Sequence, residues 1–83
     1  RVFSMASIYD RDYQEVIGLL KKARLEKGIT QIELAKTLGK PQSFIAKFEN
    51  GERRLDVVEF VRIARLLGVE PKSVLETLFG SNL

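Results

Sequence analysis

Between Thr30 and Arg54 the chain concentrates amides, hydroxyls and cations: Thr30, Gln31, Lys36, Lys40, Gln42, Ser43, Lys47, Asn50, Arg53 and Arg54. Such groups exchange hydrogen bonds and neutralise anions, which is the chemistry that phosphate oxygens and base edges require. Covalent chemistry is poorly provided for. The chain has no cysteine and no histidine. That removes disulfides, thiolate zinc sites, Cys– or Ser–His nucleophiles and imidazole acid–base catalysis together. There is no glycine-rich phosphate loop, and most carboxylates are explained as helix caps or surface charges. An enzyme is the least supported class, and neither a metal, a cofactor nor a small-molecule pocket is legible.

Helical periodicity says how the polar residues are held. Leu34, Ala35 and Leu38 share one face of a helix over 31–38, and Gly39 stops it. After Lys40-Pro41 a second helix runs over 42–49, with Ile45 and Phe48 inward and Gln42, Ser43, Phe44 and Lys47 outward. Two short helices around a glycine turn, the second with a polar outer face, make a helix-turn-helix over 31–50. Ala35 is small, as close helix crossing demands. Thr30 and Gln31 lie at a helix N-terminus, where backbone N–H groups and the helix dipole attract phosphate. Arg53 and Arg54 follow the second helix where a duplex backbone would pass; the alternative for them is a solvated loop.

The remaining elements form the support. Tyr13, Val16, Ile17, Leu20 and Ala23 make the apolar stripe of a helix over 12–27, which Asp12 and Glu15 suit as a capping box. Gly28 ends it, and Ile29 is read as a plug into the core. Thr30 with Glu33 is a second capping box and Asp56 with Glu59 a third. The last opens a helix over 57–67 with Phe60, Ile63, Ala64 and Leu67 inward. Pro71 suits the first position of a final helix carrying Val74, Leu75, Leu78 and Phe79. Nothing reads as strand. The expectation is one compact all-α domain over 12–80, with an N-terminal arm over 1–11 and a tail over 81–83. Met5 is a candidate natural start, which would leave Arg1 to Ser4 as residues added ahead of it.

Eighty-three residues, 45% of them hydrophobic, suffice for one small core. Fourteen basic and eleven acidic residues give a net charge of +3, a weak hint of a polyanionic partner. No apolar run is long enough to span a bilayer and no signal peptide is visible, so a cytoplasmic chain is expected.

From about Ile17 to Leu78 the chain resembles the Cro/phage-repressor (XRE) helix-turn-helix domain. The resemblance is carried by Lys27-Gly28-Ile29-Thr30-Gln31, Glu33-Leu34-Ala35, Leu38-Gly39, Ile45, Glu49-Asn50-Gly51 and Ile63-Ala64-Arg65-Leu66-Leu67-Gly68-Val69. It implies a five-helix, lambda-repressor-like fold with helix three in the major groove. Carried over by position, Gln42 is the first residue to read a base, and a Gln amide can bond adenine through N6 and N7. Ser43 and Lys47 follow, and Phe44 replaces a small polar residue, to meet either a thymine methyl or neighbouring protein. Gln31, Asn50, Arg53 and Arg54 match phosphate-contact positions, to which Thr30 and Lys40 are added. Arg24 and Glu49 match an enclosed salt bridge between helices one and three; the alternative is two exposed, weakly coupled side chains. Pro41 stands where an N-cap Ser or Thr is usual, which would shift the cap to Lys40.

These residues imply sequence-specific binding of double-stranded DNA by a small repressor-like transcriptional regulator. One helix reads too few base pairs for genomic specificity, so a homodimer on a palindromic operator is expected. Val74, Leu75, Leu78 and Phe79, with Leu83, are the candidate dimer surface. The rival is a protein-interaction or antitoxin-like module on the same fold, favoured by Phe44 on the outer face.

Overall fold

The computed structural model describes residues 11–80, and among them every regular element is helical. In chain order these are α1 Arg11–Glu26, α2 Gln31–Leu38, α3 Gln42–Glu49, α4 Val57–Leu66 and α5 Pro71–Phe79. The arm expected over 1–11 and the tail over 81–83 lie outside the described residues, except for Arg11, which already belongs to α1. Asp12 is therefore inside the first turn rather than ahead of it, where a carboxylate still complements the helix dipole.

Local chemistry accounts for the helix starts. Thr30 Oγ1 accepts the Glu33 N–H while Glu33 Oε1 accepts the Thr30 N–H, and Asp56 and Glu59 repeat the exchange at α4. Each box satisfies two backbone donors that a helix start otherwise leaves open. The start of α3 differs. Its N-cap is Pro41, extended at φ −70° and ψ 155°, with no side-chain cap. Lys40 is thus not the cap, and α3 begins at Gln42: proline's restricted φ already suits an extended N-cap.

Gly39 ends α2 at φ 75°. Its N–H and that of Lys40 then cap the Lys36 and Ala35 carbonyls at 3.2 and 2.9 Å. Only glycine takes that backbone without a Cβ penalty, and the resulting turn folds α3 back onto α2.

The core gathers one stripe from each helix. Leu20, Ile45, Phe48, Ile63 and Ala64 have no exposed surface, with Ile17, Leu34, Ala35, Leu67 and Val74 nearly enclosed around them. Each large apolar side chain removed from water contributes about 1.5–3 kcal/mol. α3 packs on both α2 and α1, and α5 closes against α1 and α4. Val74 is 3% exposed, so it faces the molecule's own core and is removed from the candidate dimer surface. Leu75, one residue on along the helix, is 39% exposed and Leu78 is half-buried. The side chain of Phe79, like Leu83, lies outside the described residues. Among the described residues no helix is long and apolar enough to cross a membrane.

Candidate nucleic-acid interface

Three of the four residues expected on the outer face of α3 are there: Gln42, Ser43 and Lys47 are exposed. Phe44 is not. It is 7% exposed, with its ring 6.0 Å from that of Phe48 and tilted by 55°. Helical spacing explains the correction, since Phe44 lies one turn before Phe48 and next to Ile45, on the edge of the buried stripe. Two cations cover what remains: Lys40 Nζ lies 5.3 Å and the Arg53 guanidinium 4.6 Å from the ring centroid. Of the two partners expected for it, the ring takes neighbouring protein.

Behind the face runs a continuous line of hydrogen bonds. Arg24 on α1 and Glu49 on α3 are both nearly enclosed, their side chains 8% and 1% exposed. Arg24 Nε donates to Glu49 Oε2 at 2.6 Å and Nη2 to Oε1 at 3.0 Å. The third guanidinium nitrogen, Nη1, donates to the Ile29 carbonyl at 2.8 Å, which pins the α1–α2 turn. Gln31 Nε2 donates to Glu49 Oε1 at 3.0 Å, and Gln31 Oε1 accepts from Gln42 Nε2 at 3.2 Å. A buried ion pair therefore orients Gln31, and Gln31 orients the first residue of α3. Gln42 keeps its amide oxygen and one amide hydrogen for an external partner.

The loop after α3 carries two further cations, one set against α3 and the other against α1. Gly51, at φ 77°, makes the turn, and the Glu52 and Arg53 N–H groups return to the Lys47 carbonyl at 2.8 and 3.3 Å. Arg53 then meets Glu59 on α4, with Nη1 at 3.0 Å from Oε1 and Nη2 at 3.2 Å from Oε2. The guanidinium of Arg54 stacks 4.2 Å from the Tyr13 ring centroid. Asn50 caps α3 while its Nδ2 donates to Glu52 Oε2 at 3.4 Å. Thr30 and Lys40 are exposed at the two ends of α2.

Two residues of this surface read from the sequence as structural parts only. Tyr13 reads as part of an apolar stripe. Its hydroxyl in fact accepts the Leu55 N–H at 3.0 Å and donates to the Arg53 carbonyl at 3.3 Å, tying the loop to α1. A Tyr where Phe would suffice was the available hint. Glu59 reads as a capping-box residue, which it is, but both carboxylate oxygens also hold Arg53. The Arg53 hydrogen bond, and then the Asp56 N–H, keep the Glu59 carboxyl below its usual range. Glu59 in turn raises the Arg53 guanidinium above its ordinary value.

An exposed polar helix, braced by a second helix across a glycine turn and edged by cations, is a helix-turn-helix domain. The sequence profile of the helix-turn-helix family matches residues 20–74, and the chain belongs to that family, in its XRE-type branch, a DNA-binding and non-catalytic kind of domain. It is similar in structure to an XRE-family like protein from Pseudomonas syringae pv. tomato str. DC3000, with a TM-score of 0.79 and 51% identity, covering 86% of this chain and 87% of that one. Among curated proteins it is 41% identical over 51 residues to the uncharacterized HTH-type transcriptional regulator YqaF of Bacillus subtilis (strain 168), covering 61% of this chain and 67% of that protein. It is 33% identical over 61 residues to multiprotein-bridging factor 1c of Arabidopsis thaliana. That match takes in 74% of this chain but spans only 41% of the plant protein.

Proposed function

We propose that this chain binds double-stranded DNA in a sequence-specific manner, as the DNA-reading part of a cytoplasmic, repressor-like transcriptional regulator. α3 enters the major groove. Gln42, Ser43 and Lys47 contact base edges, while Thr30, Gln31, Lys40, Asn50, Arg53 and Arg54 contact phosphates on either side. The observation that carries this reading is the chain of bonds from Arg24 through Glu49 and Gln31 to Gln42. A base-reading side chain gains specificity when its orientation is fixed before binding. The kinship with a protein described as a transcriptional regulator supports it.

Specific binding then calls for two copies on a palindromic operator, because one helix covers too few base pairs. The dimer uses exposed apolar residues of α4 and α5, namely Val57, Val58 and Leu75. The rival protein-interaction reading loses its motivating feature, since Phe44 is buried rather than displayed.

Fluorescence anisotropy with random-sequence duplex, titrated at several salt concentrations, tests the reading. Each phosphate neutralised contributes about −0.9 to the slope of log K against log salt, so a steep negative slope is expected. Selection of bound sites from a random DNA pool then reports half-site and symmetry. Absence of binding at low salt would reject the proposal.

A further inference from the structure

Arg53 is held in a way that a solvent-exposed loop cation has no structural need for. Its Nη1 donates both to Glu59 Oε1 at 3.0 Å and to the Arg54 carbonyl at 2.8 Å, and its Nη2 donates to Glu59 Oε2 at 3.2 Å. One face of the guanidinium lies over the Phe44 ring. Glu59 is itself immobilised: its side chain is only 16% exposed, and its Oε1 accepts the Asp56 backbone N–H at 3.0 Å. Arg53 remains 42% exposed. A guanidinium has five N–H donors. The contacts above engage three, leaving Nε–H and one Nη2–H, the pair along the side of the fork that fits two oxygens of one phosphate.

We propose that Glu59 is a positioning residue for DNA binding: it and the Phe44 ring preset Arg53 as a phosphate clamp beside α3. The proposal rests on the DNA-binding reading above and adds to it a residue that does not touch DNA. Glu59 holds the end of the guanidinium and leaves the side open, so phosphate joins the carboxylate rather than displacing it. A flexible arginine would have to give up its rotamer freedom at the moment of binding; a preset one has already done so. Glu59 is therefore an acidic residue whose removal weakens binding to a polyanion, the opposite of what its charge alone would do.

That inversion makes the test decisive. Glu59→Gln retains a side-chain acceptor for the α4 cap and raises the net charge by one. Affinity for a selected duplex at fixed salt is expected to fall about 3- to 10-fold, with the salt slope shallower by about one. Arg53→Lys, which keeps the charge but lacks the fork, should fall by a similar factor. Combining the two should bring no further loss, because both remove the same clamp. Arg53→Lys lies in a loop outside the core, so it reads the clamp even where Glu59→Gln perturbs α4, and melting curves identify such a perturbation. Binding by Glu59→Gln equal to or tighter than the parent overturns the proposal while leaving DNA binding intact, as does parent-like binding by Arg53→Lys. Failure of the parent to bind duplex at low salt overturns the clamp and the DNA-binding reading together.

Discussion

Gln42 Nε2 donates to Gln31 Oε1 at 3.2 Å, so the first residue of α3 is aimed by a residue of α2. This relationship separates two roles. Gln42→Ala should relax preference at one base position, where a bidentate contact is worth about 1–3 kcal/mol of discrimination, and leave binding to random duplex nearly unchanged. Gln31→Ala should both relax that position and weaken binding to every sequence, since it removes the support and the proposed phosphate contact together. Selection from a random pool, followed by anisotropy on selected and scrambled duplexes, measures both. Unchanged base preference after Gln42→Ala would exclude it as a reader.

Behind Gln31, Glu49 depends on Arg24 for charge compensation. Arg24→Met leaves an enclosed carboxylate without its cation, a change that costs about 3–5 kcal/mol. In a domain whose total stability is of order 5–15 kcal/mol, that is enough to shift urea unfolding far to lower concentration. Arg24→Met with Glu49→Leu should recover most of the loss, because well-packed apolar pairs replace buried ion pairs at little cost. The double variant also removes the acceptor that holds Gln31. It should therefore fold stably yet bind DNA with poorer base discrimination. Discrimination equal to the parent's would reduce the ion pair to a purely structural part.

The legible features of this fold were those with short-range causes. Thr30 with Glu33 and Asp56 with Glu59 announce two helix starts by spacing alone, and Gly39 announces the turn between α2 and α3 by its left-handed backbone. Phe44 was misread because it lies at the margin of the buried stripe. Its ring packs toward Phe48, one turn on, and Lys40 and Arg53 close over what remains; the Arg53 contact depends on the path of the following loop. Tyr13 and Glu59 were missed for a related reason. Their partners lie on the loop before α4: Leu55 is 42 residues from Tyr13 in sequence, and Arg53 reaches Glu59 across the α4 cap. Gln42, Ser43 and Lys47 were legible as an exposed polar face, whereas the chain of bonds behind Gln42 needed three helices in place.

The revised position of Phe44 can be tested directly. Phe44→Leu keeps an apolar side chain in the core but loses the ring contact with Phe48 and the surface under Arg53. Repacking is expected to cost about 1.5 kcal/mol, and loss of the cation contacts about 0.5–1 kcal/mol more. The base preference of the bound sites should not change. Lost preference for thymine at one position with unaltered thermal stability would return Phe44 to the groove.

Val57, Val58 and Leu75 are 77%, 57% and 39% exposed, and Val57 and Leu75 line one shallow apolar groove with Tyr13, Val16, Leu55 and Phe60. If this face joins two copies on DNA, Val58→Glu should weaken self-association tenfold or more, equivalent to about 1.4 kcal/mol, with little effect on the monomer's melting. Sedimentation equilibrium of the free protein and of its complex with a two-half-site duplex distinguishes one bound copy from two. A one-to-one complex with the selected operator would remove the dimer from the proposal.

The Arg53–Glu59 contact also predicts a pH dependence of definite sign. Hydrogen bonds from Arg53 and then Asp56 hold the folded-state Glu59 carboxyl below its ordinary value, while in the unfolded chain it titrates near 4.3, about the value of a free Glu. The ionised carboxylate is thus favoured by the folded state, so its contribution is present above the unfolded value and is lost as pH falls through the folded one. Arg53 stays charged throughout, its own value being raised further. Because the pair lies at the solvent boundary, where water and salt screen it, the effect is modest. The stability difference between the parent and Glu59→Gln should be level from neutral pH to about pH 5 and should shrink below it. Urea unfolding of both proteins across that range measures the gap at each pH, and a gap undiminished at about pH 2 would show that the carboxylate's charge is not what Arg53 recognises.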